Sequence, residues 1–256
     1  NIDIPGFISK LKDGDEIFLL EYLLPWAPQY GLAKYIRKHF PNIRIYALSH
    51  LTTKYFEESI VNKEAEIIKK WSSLTNRMLT LGSSLSKYLV AHGVPSEMVS
   101  TGFHYVDSDY YHVNTPATIS DNAPITIIAM GALQRDYSML AEVVRATPDV
   151  RWIICKGRKQ IDYLFPVADN VMLKGYMEED ELRHQMGISD VSLNVMDDTV
   201  GSNVITTSMS MGLAMIVTDV GSIRDYCDEE NALFIQNDLA SIAFADFFWC
   251  MNIWFA

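Results

Sequence analysis

The chain has 256 residues, of which 49% are hydrophobic, and a formal net charge of −11 at pH 7. This length and apolar content allow a sizeable buried core in one large or two modest domains. The negative charge argues against nucleic acid or an anionic membrane as the main partner, because both bind basic surfaces. We therefore expect no nucleic-acid partner, while a local basic patch with peripheral membrane contact stays open.

The cysteines and the two chain ends bear on the cellular compartment. Cys155, Cys227 and Cys250 lie far apart and lack the spacing of a metal site or a disulfide framework, which favours a reducing, cytoplasmic compartment. The N-terminal sequence has neither an initiator methionine nor a signal-peptide pattern, so we expect a truncated start. Residues 242–256 are almost wholly apolar but shorter than the roughly 20 residues of a membrane span, so we expect a core or domain-crossing helix.

The first 110 residues alternate between strand and helix patterns. The predicted strands are 17–20, 43–48 and 78–81, and the predicted helices are 29–39, 63–77 and a third from Ser83 that ends at Gly93. Strands separated by helices of this length indicate a parallel, doubly wound α/β sheet. Since only about three strands are visible, we expect this N-terminal, Rossmann-like domain (1–110) to be incomplete.

A second series of strands and helices follows a predicted linker, 111–123, which has no sustained period. The predicted strands are 125–130, 152–155, 171–173, 191–195 and 213–217, and the predicted helices are 136–145, 178–186 and one that Gly212 ends. We assign residues 124–256 to a second Rossmann-like domain. Two such sheets joined by a linker are expected to form a cleft, with ligands at the carboxyl ends of the strands.

The loop from Met196 to Ser202 follows a buried strand and opens the helix that Gly212 ends. Such a loop leaves backbone N–H groups near Gly201, Ser202 and Asn203, where the helix dipole also favours an anion. The alternative is that Ser202 or Asn203 only caps the helix. Taken alone, the loop favours this second interpretation, because most strand-to-helix turns bind nothing.

A second candidate feature is Gly131, which follows the first strand of the second series, with Arg135 four residues later. Arginine suits a diphosphate because it donates in a planar, bidentate geometry. A surface pairing of Arg135 with Asp136 is the alternative. The basic cluster in 156–159 could add positive potential, although such clusters are more often solvated loops.

His50 ends the predicted strand 43–48 and is expected to point into the cleft. It could orient a substrate hydroxyl or phosphate, although most strand-end histidines do neither. The other histidines carry no metal-ligand spacing. Sequence motifs of serine hydrolases, P-loop enzymes and dinucleotide-binding proteins do not occur, which leaves phosphate binding by loops.

Three segments carry a family resemblance: Ser-Asp-Val-Ser-Leu-Asn-Val (189–195), Gly-Ser-Asn-Val-Ile (201–205) and Ser-Met-Ser-Met-Gly-Leu-Ala-Met-Ile-Val-Thr-Asp-Val-Gly-Ser (208–222). They resemble the C-terminal domain of the retaining glycosyltransferases of family 4, which have the GT-B fold of two Rossmann-like domains. The similarity extends more weakly to Gly131, to Lys174-Gly175-Tyr176 and to residues 79–86, and so covers most of the chain.

The resemblance implies a nucleotide-diphosphate sugar as donor, held mainly by the second domain, and a glycan or lipid-linked acceptor on the first. It implies no metal and no other cofactor. The implied donor-binding residues are Gly131 and Arg135 at the diphosphate, Gly175, Tyr176 and Met177 at the base, and Gly201, Ser202 and Asn203 at the phosphate or sugar. Arginine and helix N–H groups suit the charge that grows on the leaving diphosphate.

The chain departs from the family at three positions. The family carries two glutamates eight residues apart, one at the donor sugar and one at the ribose, and the matching positions here are Thr199 and Thr207. Threonine can hydrogen-bond but cannot supply a charge-assisted contact. Glu21 stands where many relatives place a histidine near the reacting sugar, and the family's early glycine loop is not present. The catalytic candidates are therefore Thr199, His50 and Glu21, with Thr207 as a donor-binding position.

Two functional hypotheses follow, and a third is weaker. The first is a hexosyltransferase-like glycosyltransferase that retains the configuration of the transferred sugar. The second is a non-catalytic GT-B partner subunit or sugar-nucleotide-binding protein, which the missing glutamates favour. A sugar-nucleotide epimerase of the same architecture would need acidic catalytic residues that the sequence does not locate. The base, the sugar, the acceptor and the oligomeric state do not follow from the sequence.

Overall fold

The computed structural model describes residues 3–24, 26–59, 63–113 and 124–238. It divides into two compact units, Asn1–Phe103 and His104–Ala256. The division falls earlier than residue 110, because residues 106, 110 and 111 pack against the second sheet. Most of the predicted linker and the predicted C-terminal helix lie outside the described residues.

The first unit is built on a parallel four-stranded sheet with strand order β1-β2-β3-β4. The strands are β1 (Glu16–Leu19), β2 (Arg44–Ser49), β3 (Arg77–Thr80) and β4 (Val99–Thr101). The helices are α1 (Ile4–Ile8), α2 (Gln29–His39), α3 (Thr53–Ser59), α4 (Glu64–Ser72) and α5 (Ser83–Ala91). The estimate of about three strands is wrong by one, because β4 is too short and too exposed for its pattern to show.

The second unit is built on a parallel six-stranded sheet with strand order β10-β9-β8-β5-β6-β7. The strands are β5 (Thr126–Met130), β6 (Arg151–Cys155), β7 (Val171–Lys174), β8 (Val191–Asn194), β9 (Ala214–Thr218) and β10 (Ala232–Ile235). The helices are α6 (Tyr137–Ala146), α7 (Glu179–Gly187) and α8 (Asn203–Ser210). The parallel-sheet α/β class expected from the sequence is confirmed in both units, and the strand order reverses in the second.

The strand order of the second sheet reverses between β5 and β8. From β5 the chain moves outward through β6 to β7, then returns to the other side of β5 as β8 and continues to β9 and β10. Loops that leave such a point diverge to opposite sides and open a crevice at the carboxyl ends of the strands. The loops after β5 and β8 therefore flank the place where parallel α/β sheets commonly bind ligands.

Apolar layers cover both faces of the second sheet and hold these loops in place. One face packs Ile127, Leu193 and neighbouring side chains against Leu140 and Val144 of α6. The other packs a second set, which includes Ile128, Met130, Tyr111, Met186 of α7 and Met211. Burial on both faces explains why β5, β6 and β9 are nearly continuous apolar runs in the sequence, whereas β8 also buries the polar side chains of Ser192 and Asn194.

The thiols of Cys155 and Cys227 are free and buried, and burial raises their pKa to about 12 and about 11. The thiolate is the species that reacts, so in a Cys250→Ser variant we expect both thiols to label at pH 8 on the order of 100-fold more slowly in the folded than in the denatured protein. Because the folded-state pKa values exceed the unfolded value of 9.0, the free energy of unfolding should fall as pH rises above about 9. Equally fast labelling of folded and denatured protein would contradict this burial.

Candidate functional site

The loops after β5 and β8 are joined by backbone pairing at the point where the strand order reverses. Arg135 and Met196 form an antiparallel β-bridge. The amide of Asp136 donates to the carbonyl of Val195 at 3.2 Å, and the amide of Asp197 donates to the carbonyl of Gln134 at 3.1 Å. The two loops that the sequence singled out separately are therefore one structural element.

Arg135 is held at the end of β5 by backbone carbonyls. Its Nε donates to the carbonyl of Met130 at 3.0 Å and its Nη1 lies 3.5 Å from the carbonyl of Leu133. Gly131 has φ of +98°, and a Cβ there would lie 2.8 Å from the Arg135 Nη2, so glycine allows this close approach. Asp136 caps α6 with its carboxylate. Burial lowers the pKa of Arg135 to about 10, and the hydrogen bond from its Nε holds the partly desolvated guanidinium at the end of β5.

The Gly201 loop pairs some of its own amides. The amide of Gly201 donates to the Thr199 hydroxyl at 3.1 Å, and the amide of Val204 donates to the Ser202 hydroxyl at 3.2 Å. Ser202 is therefore the N-cap of α8, as the capping interpretation predicted, and the expected unpaired amide at Gly201 is not observed. Gly201 also lies against the Tyr226 ring, and Thr199 is only 4% exposed.

The loop after β8 is also fixed from the side of β9. The Thr218 hydroxyl accepts from the amide of Met196 at 3.0 Å and donates to the Asn237 side chain at 2.8 Å. Asn237 in turn donates to the carbonyl of Met196 at 2.8 Å, and the amide of Ser222 donates to the carbonyl of Thr199 at 2.8 Å. A loop held by this many hydrogen bonds is preorganised rather than shaped by a ligand.

The segment assigned to the base follows β7 at the edge of the sheet. Gly175 and Tyr176 are exposed, whereas Met177 packs against the buried face of the sheet. The Arg158 guanidinium lies over the Tyr176 ring, 5.1 Å from its centroid. Lys156 of the same basic cluster is paired with a carboxylate at 2.8 Å, which favours a structural role for that residue.

A cavity of about 580 Å³ lies within the second unit, between the first turns of α7 and α8. Thr207 and Asn203 of α8, Glu179 of α7 and Met130 of β5 line it together with the segment 105–111. Its volume is in the usual range of small-molecule sites. The Thr207 hydroxyl donates to the carbonyl of Asn203 at 2.6 Å, so Thr207 hydrogen-bonds within its own helix.

The two candidates of the first unit lie next to each other. Glu21 follows β1 and His50 follows β2, and their Oε1 and Nδ1 atoms are 3.7 Å apart. Glu21 has φ of +54°, a left-handed backbone conformation that costs a non-glycine residue free energy. This juxtaposition arises because β1 and β2 are adjacent parallel strands that end at the same edge.

Within 3–24, 26–59, 63–113 and 124–238, no group of three His, Cys, Asp or Glu side chains could hold a metal ion. In the same ranges, no helix is both long and apolar enough to cross a bilayer. Independence from metal ions and a cytoplasmic location stay predictions.

The second unit resembles a known protein family in sequence, and nearly the whole chain resembles solved structures in fold. Residues 124–247 match the family model described as glycosyl transferases group 1. Among solved structures, the chain is similar to sucrose-phosphate synthase from Thermosynechococcus elongatus (TM-score 0.74, 11% identity, covering 93% of this chain and 64% of that one). The fold is GT-B-like.

Two further structures share this GT-B-like fold. One is HepE from Anabaena in complex with UDP (TM-score 0.70, 12% identity, covering 93% of this chain and 69% of that one). The other is the catalytic domain of starch synthase IV from Arabidopsis thaliana bound to ADP and acarbose (TM-score 0.69, 12% identity, covering 98% of this chain and 67% of that one). No curated protein matches the sequence. The GT-B-like chain thus spans about two thirds of the length of these structures.

Several residues of this candidate site do not stand out in the sequence. In the sequence, Glu179 is one of several acidic residues in the first turn of a helix, and Tyr111 lies in the predicted linker. Tyr226 and Gly221 lie near the end of the family-like segment but contact the loop that begins some 25 residues earlier. The only sequence signal for these contacts was a cluster of tyrosines in 105–111, which has no helical or strand period.

Proposed function

We propose that the protein is a glycosyltransferase that moves a sugar from a nucleotide-diphosphate sugar to a glycan or lipid-linked acceptor, with retention of configuration. The observation that carries this proposal is the joined pair of loops at the β5/β8 reversal, with Arg135 fixed between them. The match of residues 124–247 to group 1 glycosyl transferases supports it. The UDP bound to HepE and the ADP bound to starch synthase IV support a nucleoside diphosphate as the ligand class.

Arg135 is the residue proposed to stabilise the leaving group. When the bond between the sugar and the diphosphate breaks, negative charge grows on the diphosphate oxygens, and a preorganised cation lowers the energy of that state. Guanidinium has five N–H donors, so the two that face the carbonyls of Met130 and Leu133 leave capacity for an anion. Partial desolvation strengthens the attraction between Arg135 and such an anion.

The residues of the first unit are proposed to act on the acceptor. His50 is proposed to accept the proton of an acceptor hydroxyl, and the carboxylate of Glu21 lies 3.7 Å from its Nδ1. Gly175, Tyr176 and Met177 are proposed to meet the base. Gly201 and Asn203 are proposed to lie near the phosphate or the sugar, with Ser202 limited to its capping hydrogen bond.

A non-catalytic GT-B protein is the second candidate, and one specific observation favours it. Thr199, at the position where the resemblance implies a glutamate at the donor sugar, is buried and accepts a hydrogen bond from Gly201. Its hydroxyl therefore supports the loop. A protein that binds a nucleotide sugar without transferring the sugar would retain this arrangement.

Binding tests the proposal first. We expect one of UDP-, ADP- or GDP-sugars to raise the Tm of the protein, by about 5–10 °C at a concentration 100 times Kd, because ligand binding to the native state adds about 2.7 kcal/mol. Free sugars without a nucleotide serve as the control and should leave Tm unchanged. Stabilisation by none of the nucleotide sugars would contradict both candidates.

Turnover then separates the two candidates. With a panel of glycans and lipid-linked saccharides, a glycosyltransferase should release the nucleoside diphosphate in proportion to acceptor, in the presence of excess EDTA as well as without it. The anomeric configuration of the product, measured by NMR, should equal that of the donor. Tight binding of a nucleotide sugar with no release on any acceptor would favour the non-catalytic candidate.

A further inference from the structure

The cavity between α7 and α8 is lined by a carboxylate and by the threonine at the position where the resemblance implies a glutamate. Thr207 of α8 and Glu179 of α7 both line this cavity. Its volume of about 580 Å³ fits a nucleoside, and the segment 175–177, proposed to meet the base, leads directly into the helix that begins at Glu179.

Two carboxylates line this cavity, those of Asp107 and Glu179, and they differ in their hydrogen-bond partners. The Asp107 Oδ1 accepts from the amides of Asp109 and Tyr110, both at 3.1 Å, and so forms a local turn. The Glu179 Oε1 accepts from the hydroxyl of Tyr111. An ionised carboxylate can accept about four hydrogen bonds, so Glu179 keeps capacity for a ligand.

Tyr111 fixes the Glu179 carboxylate because it is itself held by both helices. Its ring is buried in the apolar layer of the sheet, and its carbonyl accepts from the hydroxyl of Ser210 at 2.5 Å. Its neighbour Tyr110 donates to Asp180 at 2.5 Å and accepts from Arg183 through its carbonyl at 3.1 Å. The segment that carries both tyrosines therefore connects α7 to α8 and sets the position of the carboxylate.

We propose that Glu179, oriented by Tyr111, binds the ribose diol of the nucleotide, in the role that the resemblance gives to a glutamate at position 207. Thr207 lacks a charge, and its hydroxyl hydrogen is donated to the Asn203 carbonyl. A vicinal diol donates two hydrogen bonds, which a carboxylate accepts with charge assistance. This inference rests on the proposed function, because it assigns a residue to the same donor.

The test combines a protein variant with a ligand variant. Affinity is measured by calorimetry for the nucleoside diphosphate that binds best among UDP, ADP and GDP, and for its 2′,3′-dideoxy counterpart. Glu179→Gln should lower the affinity for the ribonucleotide about 10- to 30-fold and change that for the dideoxynucleotide less than about 2-fold. Glu178→Gln, the same change one residue earlier and outside the cavity, is the matched control and should alter neither.

A second variant addresses the geometry directly. In the Glu179→Gln background, Thr207→Glu places a carboxylate on the facing helix and should restore most of the lost affinity. The inference is overturned if Glu179→Gln weakens both nucleotides equally or neither, or if the double variant binds as weakly as Glu179→Gln. If the unaltered protein binds none of the three ribonucleotides, the proposed function fails, and this inference fails with it.

Discussion

Replacing Arg135 with methionine should lower kcat/KM for glycosyl transfer about 100- to 1000-fold, the usual cost of losing one preorganised donor to a developing anion. Methionine keeps much of the apolar length of the side chain but removes the charge and the planar fork that suit a diphosphate. The affinity for the free nucleoside diphosphate should fall in the same variant. Initial rates with a saturating acceptor and calorimetry with the nucleotide are the two measurements.

Two further variants serve as a comparison and a control for Arg135→Met. Arg135→Lys keeps a charge but loses the fork, so its rate should lie between those of the unaltered protein and Arg135→Met. Arg151→Met removes an arginine at the opposite, amino end of β6 and should leave the rate unchanged. Because Arg135 also donates to the Met130 carbonyl, Tm is measured for each variant. A folded Arg135→Met protein with unchanged rate and affinity would contradict the placement of the diphosphate.

Replacing Gly221 with alanine should lower the free energy of unfolding of the second unit by about 3–5 kcal/mol. The residue has φ of +56°. A Cβ there would lie within 3.0 Å of three atoms: the carbonyl oxygen of Thr199, the amide nitrogen of Thr199 and a carboxylate oxygen of Asp198. Two of these atoms are backbone, so they cannot move without disturbing the loop after β8. Urea denaturation followed by circular dichroism measures the change.

Gly157 provides the matched control for this experiment. Its φ of +58° is nearly the same, but a Cβ there would meet nothing within 4 Å. Gly157→Ala therefore isolates the cost of the left-handed backbone, about 1–2 kcal/mol. If the two alanine variants lost equal stability, the close packing of Gly221 beneath the Thr199 loop would be wrong. We also expect Gly221→Ala to weaken nucleotide binding, because the displaced loop is joined to Arg135.

Local patterns predicted much of the secondary structure of the second unit. Apolar runs bounded by glycine and polar residues located β5, β6 and β9, because strands buried on both faces admit few polar side chains. The same patterns brought out Gly131 and Arg135. They missed β4 and β10, whose burial is partial, and they treated Tyr111 as linker although it is buried.

The contacts between distant segments were beyond such patterns. The pairing of Arg135 with Met196 joins residues 61 positions apart, and it depends on β8 lying next to β5 rather than next to β7. Likewise, Glu21 and His50 were separate candidates in the sequence, and the adjacency of β1 and β2 brings them within 3.7 Å. Periodicity records which face of an element is buried and carries no information about its neighbours.

The sequence by itself determined the class of fold and the position of most strands, and it singled out Gly131 and Arg135 as candidates for binding a diphosphate. These properties depend on local propensity, apolar periodicity and the chemistry of single side chains. Only the tertiary structure decided that Ser202 caps its helix, that Thr199 is buried beneath the Gly221 turn, and that Glu179 shares a cavity with Thr207. Each of these depends on strand order and side-chain packing, which bring together residues that are far apart along the chain.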